Sequence, residues 1–219
     1  MAINLQKITL EKAGDSHVID LSKKIDSITQ EININLNWSK VSPKGLFGRI
    51  FSESADIDLD LGCFYELNNG EKNVIDGLQF SKGRGGAKDR HTRQGRYTAA
   101  PWIWHTGDDR GAAAGSGENI IVNPKGMQDL KRIVIYCFIY EGVAKWQETN
   151  AVVTVSVPGS ADIEVQMGKQ SSPYNFCAIA EILFSGNAIS VKKLVTFHLQ
   201  HGECDKAYKW GLTWGAGSK

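Results

Sequence analysis

Residues 31–38 read EININLNW, with Ile32, Ile34, Leu36 and Trp38 alternating with Asn33, Asn35 and Asn37. A period of two matches the pleat of a β-strand, whose successive side chains leave on opposite faces, so one face of this segment is buried and the other wet. A sheet with one oily face must cover it, and a second sheet is the simplest cover. The same signature recurs outward from this point. Residues 56–67, DIDLDLGCFYEL, send Ile57, Leu59 and Leu61 one way and Asp56, Asp58 and Asp60 the other. RIVIYCFIYEG (132–142) is a continuous apolar and β-branched run; with AVVTVSV (151–157), a Pro158-Gly159 turn and ADIEVQM (161–167) it reads as a meander. FCAIAEILF (176–184), a Gly186-Asn187 turn and AISVKKLVTFHL (188–199) read as a hairpin, and AYKWGLTW (207–214) as a final strand. Helical signal is confined to a turn near Met127 to Lys131. The expectation is an all-β fold: an antiparallel β-sandwich of two packed sheets with long acidic and basic loops, one domain over residues 1–219.

Composition agrees with a folded domain and removes several function classes. Hydrophobic residues make up 42% and charged residues 22%, far from the signature of disorder. The 25 Lys and Arg against 24 Asp and Glu leave a formal charge of +1, so any electrostatic specialisation is local. The start MAINLQKITLEKAG has no apolar signal region, and no run reaches the roughly 18 apolar residues of a bilayer span, so a soluble, reduced, cytoplasmic protein without a transmembrane segment is expected. Cys63, Cys137 and Cys177 sit in apolar runs and read as small buried hydrophobes. Cys204, in HGECD beside His201, is the thiol whose surroundings suggest reactivity.

Two kinds of loop stand out. Segment 39–55, SKVSPKGLFGRIFSESA, carries Gly45, Gly48 and isolated apolar residues. Segment 81–105 holds Lys82, Arg84, Lys88, Arg90, Arg93 and Arg96 against Asp89, six positive charges less one negative, or +5. Such a loop can attract an anion or an acidic protein. Its aromatics Tyr97, Trp102 and Trp104 cluster at one end, which fits anchoring to the core and speaks against nucleic-acid stacking.

The acidic residues carry the chemistry. Alternation places Asp56, Asp58 and Asp60 on one face, about 7 Å apart in succession. Like charges at that spacing repel unless water or a hard cation neutralises them, and Ca²⁺ takes six to eight oxygen ligands in flexible geometry. A second acidic stretch, GDDRGAAAGSGEN (107–119), offers Asp108, Asp109, Glu118 and Asn119 among glycines; as an ordinary turn, its Asp side chains would instead cap their own backbone. No HExxH, GxSxG, GxxxxGK[ST] or strand-linked GxGxxG occurs.

ADIDLDLGCFYEL, GDDRGAAAGSGEN, and KRIVIYCFIYEG followed by NAVVTV stand in the order found in tellurium-resistance stress proteins of the TerD type. In detail the chain resembles the TerA branch, from INLQKITLEKAG to WGLTW. The resemblance implies a β-sandwich whose acidic loops bind Ca²⁺, a role in resistance to tellurite and related stress, association with other tellurium-resistance operon proteins, and no catalytic activity. The family's acidic strand motif falls on Asp56, Asp58 and Asp60, and its Gly-Asp-Asn-Arg motif on Gly107, Asp108, Asp109 and Arg110. Where the family loop continues with several Asp, this one reads GAAAGSGEN and keeps only Glu118, which implies a reduced ion site. The expected metal ligands are therefore Asp56, Asp58, Asp60, Asp108, Asp109 and Glu118. Two alternatives use the same residues: a metal-assisted hydrolase with His105 as base, and a metal-free adaptor in which Arg110 pairs with the acids.

Overall fold

The computed structural model describes residues 6–22, 30–38, 57–77, 88–107, 117–141, 144–167 and 170–215. Asp56, Asp108, Asp109, Arg110, segment 39–55 and the first part of the basic loop lie outside them. Among the described residues there are thirteen strands: β1 Ile8–Leu10, β2 Ser16–Asp20, β3 Ile32–Asn37, β4 Asp58–Leu67, β5 Lys72–Asp76, β6 Gly95–Arg96, β7 Ile103–His105, β8 Glu118–Val122, β9 Leu130–Glu141, β10 Val152–Ser156, β11 Ile163–Gln166, β12 Phe176–Ser185 and β13 Ala188–His198. Two helical segments join them, α1 Trp146–Thr149 and α2 His201–Tyr208, with a 3-10 turn at Pro124–Gly126.

The strands form a seven-stranded sheet, ordered β1-β11-β10-β3-β8-β7-β6, and a six-stranded sheet, ordered β2-β13-β12-β9-β4-β5. Every pairing is antiparallel except β1 with β11. The sandwich expected from the alternation is therefore present. In β3, Ile32, Ile34 and Leu36 are buried in the inter-sheet core while the asparagines face outward, half-buried. No helix among the described residues is long and apolar enough to cross a membrane.

The expected meander is corrected. β9 lies in the six-stranded sheet between β4 and β12, whereas β10 and β11 form a hairpin in the other sheet. The physical reason is visible in the side chains. β9 is apolar on both faces, with Ile133, Ile135, Cys137 and Ile139 in the inter-sheet core and Val134, Tyr136 and Phe138 in a second cluster on the outside. Only a strand covered on both sides can bury such a run. β10 instead alternates, with Val153 and Val155 buried and Thr154 and Ser156 half-buried on the outer face beside the asparagines of β3.

The expected last strand over 207–214 is also corrected. Residues 201–208 are helical, the chain turns at Lys209 with φ +60°, and 210–215 run on without pairing in either sheet. Cys204, Trp210, Phe64, Val134, Tyr136, Phe138, Phe176 and Ala178 make up the outer cluster that this helix and tail cover. The aromatic residues that suggested a strand are there to bury that second face, not to pair. The turn near Met127 is present, entered from the 3-10 segment.

Candidate metal centre at the acidic edge

β4 is ten residues long and its neighbour β5 only five. The β4–β5 register ends at Gly62 opposite Asp76, so Leu61 lies at a strand edge that β5 does not reach. Backbone groups in that position need other partners. The Leu61 N–H donates to the Glu118 Oε2 at 2.7 Å, and its carbonyl lies 3.1 Å from the His105 Nε2. Both side chains come from the opposite sheet, Glu118 from the first residue of β8 and His105 from the last of β7. They clamp the two sheets together at the mouth of the sandwich.

His105 is fully buried, and the Gly107 N–H donates to its Nδ1 at 3.1 Å. That hydrogen bond fixes the tautomer: Nδ1 accepts, so Nε2 bears the hydrogen and donates to the Leu61 carbonyl. The imidazole is therefore neutral, and its 3.7 Å approach to the Glu118 carboxylate is not an ion pair. With one ring nitrogen accepting and the other donating, His105 is a bracket rather than a base.

The two acidic stretches meet here. Asp60 precedes Leu61, is fully buried, and projects from the face of β4 opposite to Leu59 and Leu61, toward the backbone just beyond β5: a Cβ added to Gly77 would lie 3.1 Å from the Asp60 Oδ1. Glu118 is 1% exposed. The Cys137 thiol, opposite Leu61 on β9, is pushed up by burial first and then by the charges of Glu118 and Asp60. Asp58 begins β4, half-buried, at a register irregularity next to Leu59. The second acidic loop leaves and re-enters the described structure at this edge. The Thr106 N–H donates to the Asn119 carbonyl at 2.9 Å, pinning its ends, and Gly117 sits at φ +57° so tightly against the Leu36 carbonyl that a side chain would collide with it.

Of the six expected ligands, the structure thus brings Asp60 and Glu118 to one edge and puts Asp58 on the same strand; Asp56, Asp108 and Asp109 lie outside the described residues. Among the described residues no three His, Cys, Asp or Glu side chains are grouped to hold a metal ion. The donors at this edge are carboxylate oxygens, the chemistry a hard cation prefers.

A second polar constellation was not legible in the sequence. On the outer face of the six-stranded sheet, the buried Asp76 accepts from the Tyr136 hydroxyl at 2.8 Å, and the His201 Nε2 lies 2.9 Å from the same carboxylate oxygen. The His201 ring is walled by Tyr136, Phe138, Phe176 and Trp214, with ring centroids between 4.7 Å (Phe176) and 5.4 Å (Tyr136) away. Residues 76, 136 and 201 share no local spacing, so only the fold unites them. Cys204, expected to be reactive, is fully buried beside them and burial pushes its thiol up, so it is an inert packing residue.

The described part of the basic loop is built into the fold. β6 and β7 extend the seven-stranded sheet, Trp104 is buried, and the Trp102 indole donates to Asp129 at 2.7 Å. Its aromatics anchor it, as expected from their clustering.

No family model matches the chain. A curated tellurium resistance protein TerA from Alcaligenes sp is 35% identical over 218 residues, covering 99% of this chain, which spans 60% of that protein's length. The tellurium resistance protein TerZ from Serratia marcescens is 34% identical over 67 residues, 31% of this chain and 33% of TerZ. Two solved structures share the fold. One, of a protein of unknown function, has a TM-score of 0.54 at 11% identity, over 82% of this chain and 95% of that one. The other, a homologue of the telluride resistance protein TerD from Streptomyces coelicolor A3(2), has a TM-score of 0.50 at 12% identity, over 81% and 95%. Nearly the whole of this chain is thus similar to about three fifths of a tellurium resistance protein TerA, and its sandwich is the fold of a TerD homologue.

Proposed function

We propose that this protein is a calcium-binding, non-enzymatic module of tellurite and stress resistance, in which the ion fixes the acidic loop against the edge of β4. The observation that carries this reading is the 2.7 Å bond from the Leu61 amide to Glu118, which holds the end of the acidic loop beside Asp60. Asp60 and Glu118 supply buried oxygen donors there, and Asp56, Asp58, Asp108 and Asp109 are the further ligands of the proposal. Ca²⁺ would neutralise this charge and restrain the loop; it is asked to do no chemistry. The engagement of both His105 ring nitrogens with backbone groups argues against the hydrolase alternative. Its setting is proposed to be the cytoplasm, its partners other proteins of the tellurium-resistance group, and loop 81–105 the contact for an anion or an acidic protein.

Calorimetric titration with Ca²⁺ tests the reading. Glu118→Gln keeps an acceptor for the Leu61 amide but removes a charge, and Asp60→Asn does the same on the other side of the peptide. Each is expected to weaken binding tenfold or more, about 1.4 kcal/mol, and to shrink the rise in melting temperature that Ca²⁺ gives over EDTA. Wild-type heats in both variants would remove the site.

A further inference from the structure

The outer surface of the seven-stranded sheet bears a second feature, independent of the cation reading. Outward side chains of β3 and β8 form a carboxamide floor: the Asn119 Oδ1 accepts from the Asn33 Nδ2 at 3.1 Å and the Asn35 Nδ2 at 3.0 Å. The Thr106 hydroxyl donates to the Asn119 carbonyl at 3.2 Å. At one end this floor dips into an open concavity of about 680 Å³ lined by Glu31, Asn33, Tyr97, Thr106 and Asn119 among others.

Three properties narrow what such a concavity accepts. Its volume is that of a small-molecule site, roughly 300–1,000 Å³. Its charge is balanced, because Glu31, the single ionised side chain in the lining, has the Lys88 ammonium 3.5 Å away, and that ammonium also lies 5.1 Å from the Tyr97 ring centroid. Among the described lining residues a phosphate or other oxyanion finds no unmatched cation, and a metal ion no unmatched acid. Finally, the Asn33 Oδ1 is buried and accepts no hydrogen bond within the protein. A buried acceptor calls for a donor. An anion brings only acceptors; a hydroxyl brings a donor for the Asn33 Oδ1 or for the Thr106 oxygen, whose own hydrogen is given to the Asn119 carbonyl, and an acceptor for the neighbouring amide N–H groups. The amide network is locked by its own hydrogen bonds, so little ordering is required on binding.

We propose that this concavity binds a neutral polyhydroxylated ligand, a saccharide or sugar alcohol, through Asn33, Asn119 and Thr106. The probes are maltotriose, trehalose and sorbitol at millimolar concentration, added with EDTA present to the ¹⁵N-labelled protein. Saturable shifts of the Asn33 and Asn119 side-chain amides and of the Thr106 backbone amide are expected with at least one of them. Asn33→Ala, which also gives up the hydrogen bond to Asn119, should weaken that binding about tenfold, and Thr106→Val, an independent variant should Asn33→Ala fold poorly, should weaken it severalfold. Shifts that never saturate, no response to any of the three, or wild-type affinity in the folded variants overturns the assignment. So does a response at this site to adenosine monophosphate or inorganic phosphate alone.

Discussion

Gly62 shows how one missing side chain organises a polar cluster. A Cβ at Gly62 would lie 2.5 Å from the Tyr136 Cζ and 2.6 Å from its hydroxyl, because the Tyr136 ring crosses over β4 to reach Asp76 on β5. Gly62→Ala must therefore push a fully buried ring away and break its hydrogen bond. Overpacking of this kind costs about 1–3 kcal/mol, so the unfolding free energy should fall by that amount and the urea midpoint by that amount divided by the m-value, and a wild-type midpoint would refute the close packing. Glu66, on the same face, illustrates a charge effect. Burial alone would raise its carboxyl, but a 2.7 Å hydrogen bond from Lys131 and the charges of Arg132, Lys131 and Lys72 outweigh it and hold the group below its ordinary value. A depressed carboxylate stabilises the fold above its unfolded value and loses that contribution as pH falls through the folded one. The stability gap between wild type and Glu66→Gln should thus be full at neutral pH and shrink through the acid carboxylate range; a gap independent of pH would show that the charges do not matter. Asp60 and Glu118 could be singled out from the sequence, since alternation and glycine-rich spacing are local. The bracket role of His105 could not, because it depends on where β5 stops.

At the level of elements, β3 was legible because its burial follows the strand period. β4 and β12, more continuously buried, were legible from the alternation of Asp56, Asp58 and Asp60 with apolar residues and from the Gly186-Asn187 turn of the β12–β13 hairpin. The segment 201–215 was not, because its aromatics mimic a strand while its backbone needs are met elsewhere. Asp205, 4% exposed on α2, accepts from the Gly211 N–H at 2.7 Å, the Leu212 N–H at 2.8 Å and the Trp214 indole at 3.0 Å. One carboxylate thus folds the tail back over the sheet, where Trp210 donates to the Tyr65 carbonyl at 3.1 Å and lies 3.9 Å from the Arg132 guanidinium. Removing it in Asp205→Ala leaves two amides and an indole without an acceptor. The expected cost is about 2–4 kcal/mol, with hydrogen bonds to a charged group at the upper end of the usual range. Amide exchange should rise selectively at residues 210–214; uniform exchange across the molecule, or none, would show that the tail is held by its aromatics instead.

For the whole molecule, the question is what keeps two sheets in register at the end opposite the acidic edge. There, Lys193 projects inward from β13 of the six-stranded sheet, 6% exposed, next in line after Ile189 and Val191. Its ammonium donates to the Leu10 carbonyl at 3.1 Å, the Glu11 carbonyl at 2.9 Å and the Gln166 carbonyl at 2.8 Å, so three donors meet three acceptors at the β1–β11 edge of the other sheet. Nothing in AISVKKLVTFHL marks Lys193 from Lys192, since on sequence both read as solvated; the register decides, with Lys192 opposite Glu181 and Lys193 opposite Ala180 beside a bulge. Burial lowers the ammonium's pKa, which measures how much desolvation the three carbonyls must offset. Lys193→Met keeps the stem and removes the charge, so it relieves that desolvation but strands three carbonyls where β1, the parallel strand, is held by only three register pairs. Losing partners costs about 1–3 kcal/mol per buried group before relief of the charge is subtracted. A net loss of about 2–4 kcal/mol is therefore expected, read in urea denaturation and accompanied by faster amide exchange in residues 8–10. A variant as stable as wild type would mean that packing alone aligns the sheets and that the buried ammonium is tolerated, not required.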